Sequence, residues 1–399
     1  MLKSNPTVSR LQPFTSTIFA EMSALAASTG SINLGQGFPD TDGPPAMLAA
    51  AQQAIADGVN QYPPGPGIAE LRQAIAGQRA AEYRQPFDPD SEVLVTVGAT
   101  EAIAAAMLGL VESGDEVIAL EPFYDSYAAV IAMAGARLVP VRLRPDSSGR
   151  FALDPDELAA AVTDRTTVIL LNTPHNPTGT VLTAQELEAV AALAISRDLL
   201  VVTDEVYEYL TFDAAAHLPI GTLPGMAERT VSISSAGKSF NVTGWKIGWA
   251  CGPAPLIGAV RAAKQFLTFV GGAPFQPAVA LALRDELDWV RGMAKGLQSK
   301  RDRLCSGLRD AGFEVTVPQG TYFAVAGIDR LAAPGEDGAA FCRSMPERCG
   351  VVAVPQQVFY ADAGPDGPGA RYIRFAFCKR DQVIDEATDR LASADRRRR

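Results

Sequence analysis

Between residues 92 and 251, short runs rich in β-branched and other apolar side chains alternate with alanine-rich stretches of helical character. The runs are Glu92 to Val97, Glu116 to Glu121, Arg137 to Leu143, Thr167 to Asn172, Leu199 to Asp204, Thr230 to Ser234 and Ile247 to Cys251. In Val168 to Leu171 and again from Leu199 onward, apolar residues follow one another directly instead of alternating with polar ones. That is the pattern of strands covered by helices on both faces, and it predicts an α/β fold with a mainly parallel sheet.

Helix boundaries can be read from the polar positions. Asp154 caps, Pro155 takes the first helical position and Glu157 follows, which predicts a helix between Asp154 and Val162; Thr183 and Glu186 form a capping-box pair. A helix over Ile68 to Glu82 follows the turn cluster Pro63-Pro64-Gly65-Pro66-Gly67. After about Asp285 the pattern changes: charge density rises through Arg284 to Arg303, as in a long surface helix, and β-like runs appear at Phe313 to Val317, Thr321 to Val325 and Tyr372 to Cys378. A smaller α+β domain is expected there, with Asp362 to Ala370 as a surface loop. Gln265 to Leu283 contains no charged residue, but Gly271, Gly272, Pro274 and Pro277 interrupt it, so it reads as a buried loop entering a helix and not as a membrane span.

Composition narrows the chemistry. The chain has 399 residues, 47% of them hydrophobic and 20% charged, which is globular usage. Its net charge of −10 supplies no general attraction to nucleic acid or an anionic bilayer, and the basic cluster Arg396 to Arg399 reads as a solvated tail. Cys251, Cys305, Cys342, Cys349 and Cys378 are scattered and odd in number, with no paired spacing, so neither a disulfide framework nor a structural zinc site is expected. With no leader-like segment in the first 30 residues, a reduced cytoplasmic setting follows as an expectation. His175 and His217 show no metal-ligand spacing, and no metal is expected.

Chemistry concentrates just after the strands. Lys238 follows the strand ending near Ser234, in Ser234-Ser235-Ala236-Gly237-Lys238. Asp204 ends another strand, with Tyr207 three residues on, and Asn172 and Asn176 lie in Asn172-Thr173-Pro174-His175-Asn176-Pro177-Thr178-Gly179 directly after a third. Open α/β sheets bind ligands at these strand ends. Val97-Gly98-Ala99-Thr100-Glu101 turns from a strand into a helix, which aims backbone donors at an anion.

Together these motifs resemble the class I/II pyridoxal-phosphate aminotransferases of fold type I, over about Arg10 to Leu391. Within that family the chain is similar to the branch holding actinobacterial N-succinyldiaminopimelate aminotransferases and the kynurenine, glutamine and methionine aminotransferases. The resemblance implies pyridoxal 5'-phosphate as cofactor, with Lys238 bonded covalently to its aldehyde and Asp204 paired with its ring nitrogen. Tyr207 and Asn176 match the groups on its 3-hydroxyl oxygen, and Tyr124 the aromatic stacked on its ring. Gly98, Ala99, Thr100, Ser235 and Lys246 correspond to the phosphate contacts, joined across a dimer interface by Tyr62. Arg374, in Ile373-Arg374-Phe375, matches the receiver of the substrate α-carboxylate, with Asn172 assisting it. Gly37, in Gly35-Gln36-Gly37-Phe38-Pro39-Asp40, lies in a strip covering the pocket, while Phe14 and Phe269 line the substrate side.

The fold so implied is a large domain with a seven-stranded, mostly parallel sheet, plus a smaller α+β domain. Residues 1–45 are expected to contribute to the small domain and the pocket cover, 46–284 to form the large cofactor-binding domain and 285–399 the small one. The implied function is amino-group transfer between an L-amino acid and a 2-oxo acid by a homodimer with composite active sites. N-succinyl-LL-2,6-diaminopimelate with glutamate and 2-oxoglutarate is the leading substrate set. Kynurenine, glutamine or methionine transamination, carbon–sulfur β-elimination and a non-enzymatic cofactor-binding regulator are the alternatives. Val270 stands where some kynurenine-type relatives carry histidine.

Overall fold

The computed structural model describes residues 6–15 and 17–396, without the side chains of residues 395 and 396. Of the Arg396 to Arg399 cluster, all but the Arg396 backbone therefore lies outside the described residues. Seven strands form the central sheet: β1 (Val93–Thr96), β2 (Glu116–Glu121), β3 (Arg137–Arg142), β4 (Thr166–Asn172), β5 (Leu200–Asp204), β6 (Thr230–Ser235) and β7 (Gly248–Cys251). Their order is β1-β7-β6-β5-β4-β2-β3, and β7 alone runs antiparallel to its neighbours β1 and β6.

Burial explains the continuous apolar runs. Val168 and Leu170 of β4 pack on one face with Ala102, Ala105 and Ala106, whereas Ile169 and Leu171 pack on the other with Leu187, Val190 and Ala194. Each strand residue therefore meets a helix whichever way it points. The capping-box helix Ala184–Ser196 and the Pro155–Ala161 helix both begin where their polar residues predict.

A second, antiparallel sheet is made by β8 (Glu314–Thr316), β9 (Phe323–Gly327), β10 (Val354–Pro355) and β11 (Tyr372–Ala376), in the order β8-β9-β11-β10. The 24-residue helix Leu287–Asp310 supports it with a buried stripe of Val290, Ala294, Leu297, Arg301, Leu304, Cys305 and Leu308. Ile32 and Asn33 pair in parallel with Val351 and Val352, which ties the N-terminal segment to the same body.

Two local expectations change. β9 starts at Phe323, two residues later than the sequence run suggests, because Thr321 sits at φ +66° and turns the chain out of the extended region. The Gln265 to Leu283 stretch does not bury its loop: Phe266, Leu267 and Phe269 are 84%, 40% and 54% exposed, and only the helix Phe275–Asp285 carries its apolar face inward. Among the described residues no helix is long and apolar enough to cross a membrane.

Candidate active site

The carboxyl ends of β4, β5 and β6 bring Asn172, Asp204 and Ser235 to one edge of the sheet. There they face a cavity of about 350 Å³ that is also lined by Gly37, Gly98, Ala99, Thr100, Tyr124, Asn176, Tyr207, Lys238, Lys246 and Arg374. The size suits a small-molecule site.

Asp204 is buried, and its carboxylate accepts hydrogen bonds from the Tyr127 hydroxyl at 2.6 Å and the Val206 N–H at 3.3 Å. Burial outweighs these bonds and lifts its pKa to about 6. Lys238 sits in the short helix Ala236–Ser239, directly after β6, and donates from Nζ to the Tyr322 hydroxyl at 2.9 Å. Burial, partly offset by Cys378 and Asp204, lowers its pKa to about 8. A neutral, nucleophilic amine is thus accessible near physiological pH. Tyr207 lies edge-on to Tyr322, ring centroids 5.3 Å apart, and burial raises the pKa of its phenol.

Arg374, on β11, is 1% exposed and forms no ion pair among the described residues. Its guanidinium is sandwiched by the rings of Phe323 at 3.9 Å and Phe359 at 4.7 Å, and burial pushes its pKa down to about 10. Nη1 donates to Asn176 Oδ1 at 2.8 Å and Nη2 to the Gly35 carbonyl at 3.3 Å, while buried Nε has no partner. With no ion pair and only the more distant Asp125 carboxylate to offset it, this buried cation calls for an anionic ligand. The expected assistance from Asn172 is not what the structure holds. Asn172 donates to the Asp204 carbonyl at 2.9 Å and accepts from the Asn176 N–H at 2.7 Å, so it shapes the loop that delivers Asn176, and Asn176 is the residue on Arg374.

At the other end, Gly98 opens the helix Gly98–Leu110 at φ +74°, and that helix has no side-chain cap. Gly98, Ala99 and Thr100 of this first turn line the cavity, which puts the positive end of the helix dipole beside it. Lys246 is held at φ +55°, and a Cβ placed on Gly98 would come within 3.1 Å of its Nζ. Glycine therefore leaves room for the ammonium beside the helix end.

Phe14, Tyr62 and Phe269 do not line the cavity of the single chain. Tyr62 is 82% exposed and meets Phe269 edge-on at 5.5 Å. The sequence reading gave no role to Tyr127, Tyr322, Phe19 or Phe323. Tyr127 had a weak signal, three residues after Tyr124, while the others reach the site only through chain crossings that no local spacing encodes. His175 is buried, its Nδ1 paired with Thr178 Oγ1 at 2.7 Å and its pKa lowered to about 4 by burial; the His217 ring is buried against Tyr83 and 3.4 Å from Glu205.

Residues 29–391 match the family model for aminotransferase class I and II. The chain belongs to the class I and II aminotransferases. This aminotransferase is 59% identical over 391 residues to a protein of Mycobacterium tuberculosis named probable N-succinyldiaminopimelate aminotransferase, covering 97% of this chain and 98% of the relative. It is 38% identical to the methionine aminotransferase of Escherichia coli, over 98% of this chain and 99% of the relative. The solved N-succinyldiaminopimelate aminotransferase of M. tuberculosis superposes with a TM-score of 0.94, covering 97% of this chain and 100% of that one.

Enzymes of this family use pyridoxal 5'-phosphate, and the aminotransferase has residues that fit it. The donor set suits the group end to end: a buried carboxylate at Asp204, a half-buried amine at Lys238, and an uncapped helix start beside the Lys246 cation. Arg374 remains without an ion pair among the described residues, its Nε unpaired.

Proposed function

We propose that this aminotransferase acts on N-succinyl-LL-2,6-diaminopimelate, with glutamate and 2-oxoglutarate as the exchanging pair, in a cytoplasmic homodimer. The 59% identity to the M. tuberculosis relative, spread over nearly the full length of both chains, supports the substrate. For the chemistry, the carrying observation is the cavity that places the Lys238 amine, the Asp204 carboxylate and the unpaired Arg374 guanidinium together.

Bound in this cavity, pyridoxal phosphate would supply an aldehyde that takes up amines covalently and a ring that withdraws electrons from the α-carbon. Asp204 would hold a proton on the ring nitrogen, and Tyr127 would orient that carboxylate through its 2.6 Å bond. Lys238 would anchor the aldehyde and, once freed, move the α-proton. Arg374 would grip the α-carboxylate with its planar fork, held in place by Asn176 and three aromatic rings. Tyr124 would stack on the ring; Tyr207 and Asn176 would reach its 3-hydroxyl oxygen. Ala99, Thr100, Ser235 and Lys246 would take the phosphate.

Dimerisation is supported by the exposed apolar cluster of Tyr62, Phe266, Leu267 and Phe269, too apolar for a free surface of this acidic chain. Tyr62 would then serve the neighbouring subunit's phosphate. The division into residues 1–45 with 285–399 as the small body and 46–284 as the large one is supported by the two sheets and by the pairing of Ile32–Asn33 with Val351–Val352.

The test is a steady-state comparison of the succinylated substrate with methionine, glutamine and kynurenine, all with 2-oxoglutarate. The succinylated substrate should show the highest kcat/KM by at least about tenfold. A higher value for one of the others would replace the substrate assignment.

A further inference from the structure

Tyr322 is a phenol that the reaction as described does not use, and it is 1% exposed. Its hydroxyl donates to the Gly37 carbonyl at 2.7 Å and accepts from Lys238 Nζ at 2.9 Å, so one oxygen joins the reactive amine to the strip covering the pocket. The donor and acceptor roles are settled by the partners. A carbonyl only accepts, which commits the hydroxyl proton to Gly37 and leaves a lone pair for the amine. Burial raises the Tyr322 pKa well above the ordinary phenol value, so the hydroxyl keeps its proton throughout the working range.

The backbone around this contact is built for it. Thr321, a β-branched residue immediately before Tyr322, is 0% exposed and held at φ +66°, a conformation such side chains rarely adopt. Its N–H bonds the Leu210 carbonyl at 2.8 Å and its hydroxyl accepts from the Phe323 N–H at 3.2 Å, which together hold the turn. Strained backbone of this kind persists where surrounding contacts over-determine it and collects at functional sites. On the strip side, a Cβ on Gly37 would fall 2.4 Å from Phe323 Cζ, so only glycine lets the strip approach this closely. The strip is tied to the same body by the Ala376 N–H on the Leu34 carbonyl at 2.6 Å and by Lys379 Nζ on the Phe38 carbonyl at 2.8 Å.

We propose that Tyr322 is a positioning residue that receives the free Lys238 amine and registers it against the Gly37 strip. Lys238 otherwise faces Asp204, Cys378, Lys246 and Arg374, none of which makes a hydrogen bond to its nitrogen, and the ring of Tyr207 lies 5.9 Å away. Tyr322 is thus the group that fixes where the amine rests and favours its ammonium form. The inference rests on the reading of Lys238 as the reactive amine.

The informative variant is Tyr322→Phe, because the ring also walls a neighbouring cavity of about 380 Å³ lined by Thr41, Asn241, Trp289, Lys300 and Cys378, and alanine would enlarge that space. Cofactor-free wild type and variant are treated with formaldehyde and cyanoborohydride across a pH series, and methylation of Lys238 is followed by peptide mass spectrometry. The variant's midpoint should fall by about one pH unit, since an acceptor for the ammonium is lost while its desolvation remains. Amide deuterium exchange over residues 35–39 should rise in the variant. With cofactor restored, kcat should drop on the order of tenfold while KM stays within about twofold, because Arg374 is untouched. An unchanged midpoint with unchanged exchange in a folded variant overturns the proposal. A wild-type measurement guards against a misfolded variant: with carbon-13 at tyrosine Cζ, the Tyr322 signal should titrate with Lys238 and lose that titration in Lys238→Met. A signal that ignores pH in wild type also overturns it. Failure to turn over the succinylated substrate would remove the substrate assignment and leave the midpoint comparison decisive for Tyr322.

Discussion

Asp204 shows how one residue's environment sets its task. Burial lifts its pKa to about 6 in the ligand-free protein, whereas a protonated ring nitrogen stabilises the carboxylate and so pulls that pKa down. Binding a cationic partner favours the ionised form, so the Asp204 contribution to cofactor affinity should be full well above pH 6 and decline as pH falls through it. In Asp204→Asn that limb should vanish and affinity should drop on the order of a hundredfold, which absorbance titration of cofactor binding would measure. An unaltered pH profile in the variant would remove Asp204 from the role. Arg374 makes the complementary case. Arg374→Lys retains the charge but not the fork between Asn176 and the substrate, so kcat/KM should fall about a hundredfold for substrates with an α-carboxylate, with cofactor binding little changed. Equal kcat/KM values would make Arg374 a peripheral cation. Asp204 stands out because it ends a strand, and Arg374 because of its motif within β11; which of Asn172 and Asn176 meets Arg374 could not be read, because they lie four residues apart and only the loop's fold decides which one turns outward.

β5 carries the site on one side and a buried charge cluster on the other. Glu205 follows Asp204 directly and pairs with Arg79, from the helix Ala69–Tyr83, at 2.8 Å; Glu208 shares that guanidinium at 3.3 Å. The Glu205 pKa falls to about 2, because Arg79 and His217 oppose a large desolvation penalty. A carboxylate depressed in the folded state contributes stability that is fully present above its unfolded value near 4.5 and is lost as pH falls towards 2. Glu205→Gln should flatten the pH dependence of urea unfolding in that window. At neutral pH it should cost about 3 kcal/mol, the low end for breaking a buried pair, because Glu208 still faces Arg79. No change in either would mean that the cluster contributes nothing to holding β5. The helix around Arg79 was legible from its start and its length, whereas its buried charge was not: an arginine on a helix reads as solvated until the strand it packs against is known.

The assembled chain exposes Tyr62 and Phe269 edge-on to each other although they come from segments about 200 residues apart, with exposed Phe266 three residues before Phe269. In an isologous dimer this patch would be covered and Tyr62 would enter the neighbouring cavity. Tyr62→Phe should leave sedimentation as a dimer intact and speed cofactor release on the order of tenfold, through loss of one hydrogen bond to a charged phosphate. A monomeric wild-type protein, or a release rate that does not respond, would end the composite-site reading. The sequence alone determined the sheet-forming runs and the helix caps, because each is encoded by neighbours within a few positions, through apolar continuity or a capping side chain, whereas the cofactor-type constellation followed from the resemblance of scattered motifs to a family. Tertiary structure alone decided that Tyr127 holds Asp204, that Asn176 rather than Asn172 meets Arg374, and that Tyr322 joins Lys238 to the Gly37 strip. Those contacts span 77, 198, 84 and 285 residues, and no local pattern can specify them, since they arise only where the packed sheets and the N-terminal strip bring distant side chains together.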